Sequence, residues 1–261
     1  MALVKTEIQG QVAVIQFSDP ATLNAMSVAM VEELDDALTV VEKSARAVVI
    51  TGEGRAFCSG AALTGGRMGA AAGEFDGGAA LESHYNPLML RLRNFSMPIV
   101  TAVHGPAAGI GCSLALMGDL IVADATAYFL QAFRNVGLVP DGGSPFLLAA
   151  AAGRVRAMEA MLLGERIPAE RADQWGMINR LVPEGKDIET ATELAQRLAD
   201  GPRATLGLIR NLAWGALEKS FADQLAAERI TQKKAGQTAE FREGVAAFLQ
   251  KRKAEFSKIS S

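Results

Sequence analysis

Cysteine and histidine are both scarce in this sequence, which has 261 residues and two of each. Cys58 and Cys112 lie far apart in glycine-rich segments, and their spacing fits neither a zinc site nor a disulfide framework. His84 and His104 have no cysteine or carboxylate at ligand spacing, so no metal site is expected, and His104 is predicted to be packed or hydrogen-bonded. A serine nucleophile also lacks support, because no G-x-S-x-G motif occurs.

A strong excess of charge and a long apolar run are missing as well. The formal net charge is -3, which gives no general attraction to phosphate backbones, and the one compact basic run is residues 251–253. No segment approaches the length of a membrane span, and the first ten residues hold Lys5 and Glu7 without an apolar stretch. We therefore expect a cytoplasmic protein with neither a nucleic-acid nor a membrane partner.

Strand and helix patterns alternate along most of the chain, which predicts an α/β fold. The hydrophobic content of 49% is enough to build a large core. Residues 1–200 are predicted to form the core domain and residues 201–261 a helical C-terminal region. The predicted strands are Leu3–Gln9 and Gln11–Phe17, joined as a hairpin at Gly10, then Arg46–Thr51, Ile99–Val103 and Met177–Val182. The predicted helices are one capped by Ser27 and running to Lys43, then 81–95, 144–152, 154–163, 168–175, and 187 onward with breaks at Gly201-Pro202 and Gly236.

Two glycine-rich turns each follow a predicted strand. One contains Gly60-Ala61 and the other runs from Gly109 to Gly111. If the turns were adjacent, each could give one backbone N–H to a single oxygen, an arrangement that stabilises an oxyanion or an enolate. Neither turn matches a phosphate-binding motif. The glycines alone are explained more simply by close packing of a strand on a helix.

A single acidic residue, Asp141, stands in the run P-D-G-G-S. Three interpretations are open: a turn residue, the N-cap of a helix beginning near Ser144, or a carboxyl with a raised pKa that moves a proton among apolar neighbours. The residues alone favour the turn. A separate segment, residues 64–80, is too rich in glycine for a firm helix and is predicted to be a mobile loop.

Six motifs occur in order and in register over nearly the whole chain. They are L-N-A-M at 23–26, V-V-I-T-G-E-G-R-A-F-C-S-G-A at 48–61, A-V-H-G-P-A-A-G-I-G-C-S-L-A-L at 102–116, D-L-I-V-A-D at 119–124, N-V-G-L-V-P-D-G-G at 135–143 and E-G-V-A-A-F-L-Q-K-R at 243–252. As a set they resemble the crotonase (enoyl-CoA hydratase/isomerase) superfamily. The resemblance implies a spiral of ββα units, a helical C-terminal trimerisation region, and a homotrimer or a hexamer made of two trimers.

The resemblance also implies an acyl-coenzyme A thioester as the substrate, so coenzyme A arrives with the substrate and no separate cofactor is expected. The N–H groups of Ala61 and Ile110 would hold the thioester oxygen. Lys251 would contact coenzyme A, although it could equally be a solvated charge. The other residues that the resemblance places along coenzyme A are Asn24, Ala25, Met26, Ser59, Ala61, Leu63 and Phe248.

Departures from the family pattern point to the reaction. Ser113 and Phe133 stand where hydratases carry two glutamates, and Ala62 stands where many members have aspartate. Asp141 matches the single acid of isomerase members, so the chain looks like the Δ3,Δ2-enoyl-CoA isomerases and the phenylacetate-pathway ring isomerase. We expect Asp141 to shuttle a proton while the double bond moves. The alternatives are a ring-epoxide isomerase, a hydratase-like enzyme, a dehalogenase with Asp141 as nucleophile, and a non-catalytic coenzyme A-binding protein.

Overall fold

The computed structural model describes residues 2–62 and 76–259. The strands are β1 (Val4–Gln9), β2 (Val12–Phe17), β3 (Ala47–Gly52), β4 (Ile99–Val103), β5 (Pro106–Ala108), β6 (Leu120–Asp124), β7 (Tyr128–Leu130), β8 (Arg166–Pro168) and β9 (Arg180–Val182). The helices are α1 (Val28–Ser44), α2 (Asn86–Arg93), α3 (Ile110–Leu116), α4 (Ser144–Ala152), α5 (Arg154–Leu163), α6 (Ala169–Gln174), α7 (Asp187–Ala199), α8 (Arg203–Ala216), α9 (Phe221–Ala235) and α10 (Ala239–Leu249). A π-helix spans Leu81–Tyr85, and 3₁₀ helices span Pro20–Thr22, Ala132–Val136 and Phe256–Lys258.

The main sheet has six strands in the order β1-β2-β3-β4-β6-β9. The hairpin of β1 and β2 is antiparallel and turns at Gly10, whose φ is +63°. The other neighbours pair in parallel. Every residue of β3 and β4 is buried, as expected for parallel strands covered on both faces.

Helices cover the two faces of this sheet because alternate side chains of a strand point in opposite directions. Val48 and Ile50 of β3 join the larger core, which includes the buried side of α1. Ala47 and Val49 face the other way and pack with α7 through its buried alanines, Ala191, Ala195 and Ala199. The four-residue spacing of these alanines lets α7 approach the sheet closely.

A second, three-stranded sheet has the order β5-β7-β8. Strands β5 and β7 are parallel, whereas β7 and β8 are antiparallel. A bridge between Cys58 and Ala107 joins this sheet to the first glycine-rich turn. The small sheet therefore positions one turn against the other.

Polar side chains fasten the C-terminal helices to the core. Arg210 of α8 pairs with the Asp119 carboxylate at 2.7 Å and donates to the carbonyl of Phe95 at 3.1 Å. The Glu240 carboxylate of α10 accepts from the backbone N–H groups of Ala204 and Thr205 in the first turn of α8. The predicted domain boundary at residues 200 and 201 falls between α7 and α8, and the division into domains stays a prediction.

Most predicted elements are confirmed, with differences at their ends. The strand predicted from Met177 covers only Arg180–Val182, and the helix predicted from Pro168 begins one residue later because Pro168 ends β8. The small sheet was not predicted. Most of the loop predicted at 64–80 lies outside the described residues. In the described part of the chain no helix has the length and apolarity needed to cross a membrane.

Candidate active site

The first glycine-rich turn lies between the 24–26 loop and β5. On one side, the N–H of Met26 donates to the carbonyl of Gly60 at 2.8 Å. On the other side, Cys58 donates to the carbonyl of Pro106 at 3.0 Å, and Ala108 donates back to the carbonyl of Cys58 at 2.9 Å. The second turn begins directly after Ala108, so these bonds bring the two turns together.

The two turns touch at Gly60 and Gly109. Both residues have positive φ, +110° and +53°, which glycine adopts without strain. A Cβ atom at Gly60 would lie 3.1 Å from the carbonyl oxygen of Ala108, and one at Gly109 would lie 3.7 Å from the Cα of Gly60. Glycine is therefore required at this contact for its conformation and, at Gly60, for the close approach of the backbone.

The N–H groups of Ala61 and Ile110 immediately follow these two glycines. Neither donates to any acceptor within residues 2–62 and 76–259. Ile110 is the first residue of α3, where a backbone N–H has no intrahelical partner. These two N–H groups therefore follow directly on the contact between the turns, and the oxyanion hole predicted there stays a prediction.

Asp141 forms a tight turn before α4. Gly142 and Gly143 follow with φ of +58° and +78°, and Gly143 is the N-cap of α4. The N–H and the hydroxyl of Ser144 donate to the backbone carbonyl of Asp141 at 3.0 and 2.7 Å. The prediction that the Asp141 side chain caps this helix is wrong, because the N-cap is Gly143 and the N–H of Ser144 donates to the backbone carbonyl of Asp141 and not to its carboxyl.

The backbone turn that carries Asp141 packs on the first turn of α3. A Cβ atom at Gly142 would lie 3.0 Å from Cγ1 of Ile110, so the chain next to Asp141 packs directly on that helix. Oδ1 of Asp141 is buried and has no hydrogen-bond partner among the described groups. Burial raises the pKa of this carboxyl to about 6. Such a group is mostly ionised at neutral pH yet accepts a proton readily, as an acid–base catalyst requires.

The two positions that the resemblance aligns with hydratase glutamates, Phe133 and Ser113, lie close to Gly109 and Gly142. Phe133 is 8% exposed, and its ring would lie 3.7 Å from a Cβ atom at Gly109. Ser113 of α3 is fully buried, and its hydroxyl lies 2.6 Å from that of Ser144. Neither residue supplies an acid next to the paired turns.

Asn24 has a structural role in the loop that the resemblance assigns to coenzyme A. It is fully buried with φ of +56°. Its side-chain amide donates to the carbonyls of Ala56 at 2.7 Å and Glu53 at 3.0 Å, and its side-chain oxygen accepts from the N–H of Asp19 at 2.9 Å. These bonds use the side chain, so a contact of Asn24 with a ligand would have to come from its backbone.

Tyr85 contributes to this loop although the sequence did not reveal it. Its hydroxyl donates to the carbonyl of Met26 at 2.7 Å. Met26 also accepts from the N–H of Ala62, so Tyr85 supports the segment that carries Ala61. Burial, and then the charge of Asp141, raise the pKa of Tyr85.

The remaining predicted coenzyme A contacts are not all brought together. Ala25 and Ser59 are partly exposed in the paired loops, and the Ser59 hydroxyl donates to the carbonyl of Thr22 at 2.9 Å. Leu63 lies outside the described residues. Phe248, 82% exposed, and Lys251 lie at the end of α10, and no hydrogen bond among the described residues joins either to the 22–26 loop. Their roles stay predictions.

His104 and the two cysteines have structural roles: the Cys58 thiol, for example, lies 4.0 Å from the carbonyl oxygen of Gly60. His104 Nδ1 pairs with the Asp187 carboxylate at 2.7 Å, which confirms a hydrogen-bonded, packed histidine. Burial raises the thiol pKa of Cys58 to about 11 and that of Cys112 to about 12, so both stay protonated and unreactive.

The parallel sheet, the small second sheet and the paired turns define the crotonase fold. The enoyl-CoA hydratase/isomerase family model matches residues 7–259, and the chain belongs to this family. It is 39% identical to 1,2-epoxyphenylacetyl-CoA isomerase of Escherichia coli K12 over 98% of this chain and 99% of that protein. A crystal structure of an enoyl-CoA hydratase subunit from Geobacillus kaustophilus matches with a TM-score of 0.89 at 33% identity, covering 98% of each chain. An enoyl-CoA hydratase structure from Polaromonas matches with a TM-score of 0.88 at 32% identity, over 96% of this chain and 98% of the other.

Proposed function

We propose that this protein is an isomerase that converts 3-enoyl-CoA into 2-enoyl-CoA. The observation that carries the proposal is the Asp141 carboxyl, which has a buried oxygen with no hydrogen-bond partner among the described residues and a pKa raised to about 6. The residue that follows it, Gly142, packs on the first turn of α3. Ser113 and Phe133 leave the hydratase positions without acid. Asp141 is then the carboxyl that matches a catalytic position and can move a proton.

In the proposed reaction, the N–H groups of Ala61 and Ile110 donate to the thioester oxygen. Asp141 takes a proton from C2, and the electron pair spreads over the dienolate to the thioester oxygen. The same carboxyl returns that proton to C4, so the double bond moves from C3–C4 to C2–C3 and no other reactant is consumed. The oxyanion donors carry the larger share of catalysis, by analogy with losses of about 3 kcal/mol per donor elsewhere.

The walls of the site support isomerisation over hydration. The ring of Phe133 packs against the second turn, where it contributes apolar surface in place of a water-activating acid. We assign coenzyme A to the paired loops and the end of α10, with no separate cofactor, in a homotrimer or a hexamer.

A second candidate is isomerisation of an epoxide thioester that carries a ring. It is favoured by the 39% identity over nearly full length to a protein named 1,2-epoxyphenylacetyl-CoA isomerase. This reaction would use the same oxyanion donors and the same carboxyl. The two candidates differ in the acyl group that is turned over.

The test compares wild type with Asp141→Asn on 3-enoyl-CoA, 2-enoyl-CoA and the epoxide thioester. We expect the substitution to lower kcat by about 10²-fold to 10⁴-fold, the range for a positioned acid–base group. Asp173→Asn, at an exposed position on α6, is the matched control and should behave as wild type. Unchanged turnover in Asp141→Asn would contradict the assignment, and turnover restricted to 2-enoyl-CoA would indicate a hydratase.

A further inference from the structure

A pair of buried serine hydroxyls holds the backbone of Asp141. Ser113 on α3 and Ser144 at the start of α4 are both fully buried, and their Oγ atoms lie 2.6 Å apart. The Ser144 hydroxyl donates to the Asp141 carbonyl at 2.7 Å, and the Ser113 hydroxyl lies 3.3 Å from the same carbonyl oxygen. The three residues therefore form one hydrogen-bonded unit across two helices.

The distances favour one order of donors in this unit. A serine hydroxyl has one proton to donate, and the Asp141 carbonyl oxygen lies 2.7 Å from the Ser144 hydroxyl but 3.3 Å from the Ser113 hydroxyl. The shorter bond favours Ser144 as the donor to the carbonyl, which leaves Ser113 as the donor in the serine pair. Ser113 is three residues after Ile110, and so lies one turn further along the same face of α3. The chain of hydrogen bonds thus connects the helix that carries the Ile110 N–H to the residue that carries the carboxyl.

In the described part of the chain no group donates a hydrogen bond to the Asp141 carboxylate. The next two residues are Gly142 and Gly143, which have no side chains to restrict the turn. Gly142 is packed tightly, because a Cβ atom there would lie 3.1 Å from the Ser113 hydroxyl oxygen. The position of Asp141 therefore depends on its carbonyl bonds and on this contact.

We propose that Ser113 and Ser144 are positioning residues that set the placement of the Asp141 carboxyl relative to the Ile110 N–H. This inference rests on the proposed function, in which that carboxyl must reach two carbons of a substrate whose oxygen is held at Ile110. A misplacement of about 1 Å can lower a rate by about 10²-fold, so small changes in this unit are expected to affect turnover. Neither serine acts on the substrate itself.

The test uses Ser113→Ala and Ser144→Ala, which remove one hydroxyl each. The matched control is Thr101→Val, because the Thr101 hydroxyl is equally buried and donates at 2.8 Å to the Ala115 carbonyl at the other end of α3. All three variants lose a buried hydrogen bond made by a hydroxyl and should lose some thermal stability. Only the two serine variants are expected to lower kcat, by about 10-fold or more, with KM within about 2-fold of wild type.

Coupling and titration give two further readouts. The double variant should lose no more activity than the more affected single variant, because the hydroxyls act as a unit. In the serine variants, which lack these hydrogen bonds, the Asp141 carboxyl gains access to water, so its pKa should fall from about 6 towards its ordinary value. The ¹³C signal of the Asp141 carboxyl, assigned by its loss in Asp141→Asn, reports this titration. Tyr85 is the neighbouring titratable group and should stay neutral across that range, because its pKa is raised.

The outcomes separate this inference from the proposed function. If Ser113→Ala and Ser144→Ala keep kcat within about 2-fold of Thr101→Val, and the Asp141 titration does not move, the positioning role is wrong. If wild type turns over none of the thioesters, the proposed function fails, and the carboxyl titration still decides whether the serines place Asp141. Should Ser144→Ala not fold, Ser113→Ala decides alone, because it leaves the Ser144–Asp141 bond in place.

Discussion

The buried carboxyl of Asp141 predicts that the native residue destabilises the fold at neutral pH. Its pKa rises from 3.8 to about 6 on folding because burial disfavours the charged form. The folded protein therefore binds a proton more tightly than the unfolded chain does. The stability that this tighter proton binding contributes is fully present below the unfolded pKa and is lost as the pH rises through about 6.

The perturbation is Asp141→Asn, which removes the titration but keeps the shape. Between about pH 5 and about pH 7.5, linkage gives an upper value of about 1.4 kcal/mol, and screening of a partly exposed group reduces this to about 1 kcal/mol or less. For a chain of this size, about 1 kcal/mol corresponds to about 2 to 4 °C in Tm. The Tm of the variant relative to wild type should rise by that amount as the pH increases over this interval.

The assay is thermal unfolding of wild type, Asp141→Asn and the exposed control Asp173→Asn at several pH values. Other titrating groups are common to the three proteins, so the difference in Tm isolates residue 141. Asp173→Asn controls for the loss of an exposed carboxylate. The reasoning would be refuted if the Tm of Asp141→Asn minus that of wild type stayed constant or fell as the pH rises.

Two further predictions concern the paired turns. Gly60→Ala should lower kcat by about 10²-fold, the loss expected for one misplaced oxyanion donor, because the added Cβ would meet the Ala108 carbonyl. Gly185→Ala controls for backbone strain, since Gly185 also has a positive φ but has open space around it. Equal kcat in the two variants would contradict the assignment. Phe133→Glu places a carboxyl beside Gly109 and should raise the rate of 2-enoyl-CoA hydration above that of wild type. The assay follows the loss of absorbance of the conjugated thioester. An unchanged rate would show that Phe133 is not what suppresses hydration.

Elements that depend on neighbouring residues were predictable from the sequence. The β1–β2 hairpin follows from two apolar runs around Gly10, and α1 begins where Ser27 accepts a hydrogen bond from the N–H of Met30. The strands of the small sheet are too short to show a period, and they form through pairing with distant residues, as Ala107 does with Cys58. The break at 217–220 between α8 and α9 carries no glycine or proline and was also missed.

The candidate site was predictable in its parts but not in its assembly. The sequence located both glycine turns and Asp141, whereas the contact of Gly60 with Gly109 depends on how β5 folds beside the first turn. The sequence did not predict the roles of the Tyr85 and Ser144 hydroxyls, because their partners, the Met26 carbonyl and the Ser113 hydroxyl, are brought close only by the fold. The capping interpretation of Asp141 failed for a related reason: two consecutive glycines at positive φ present the carbonyl, and not the carboxyl, to the start of α4.

The way in which Asp141 is held fits its proposed role. A hydrogen-bond donor on the carboxyl would fix its position, but it would also favour the charged form and lower the pKa. A base with a lowered pKa removes a proton from carbon less well, since general-base catalysis weakens with basicity. A hydrogen bond from Ser144 to the backbone carbonyl, supported in turn by Ser113, restricts the residue, while the carboxyl has no hydrogen-bond partner among residues 2–62 and 76–259. The raised pKa and the fixed position of Asp141 are thus compatible because they depend on different atoms of the same residue.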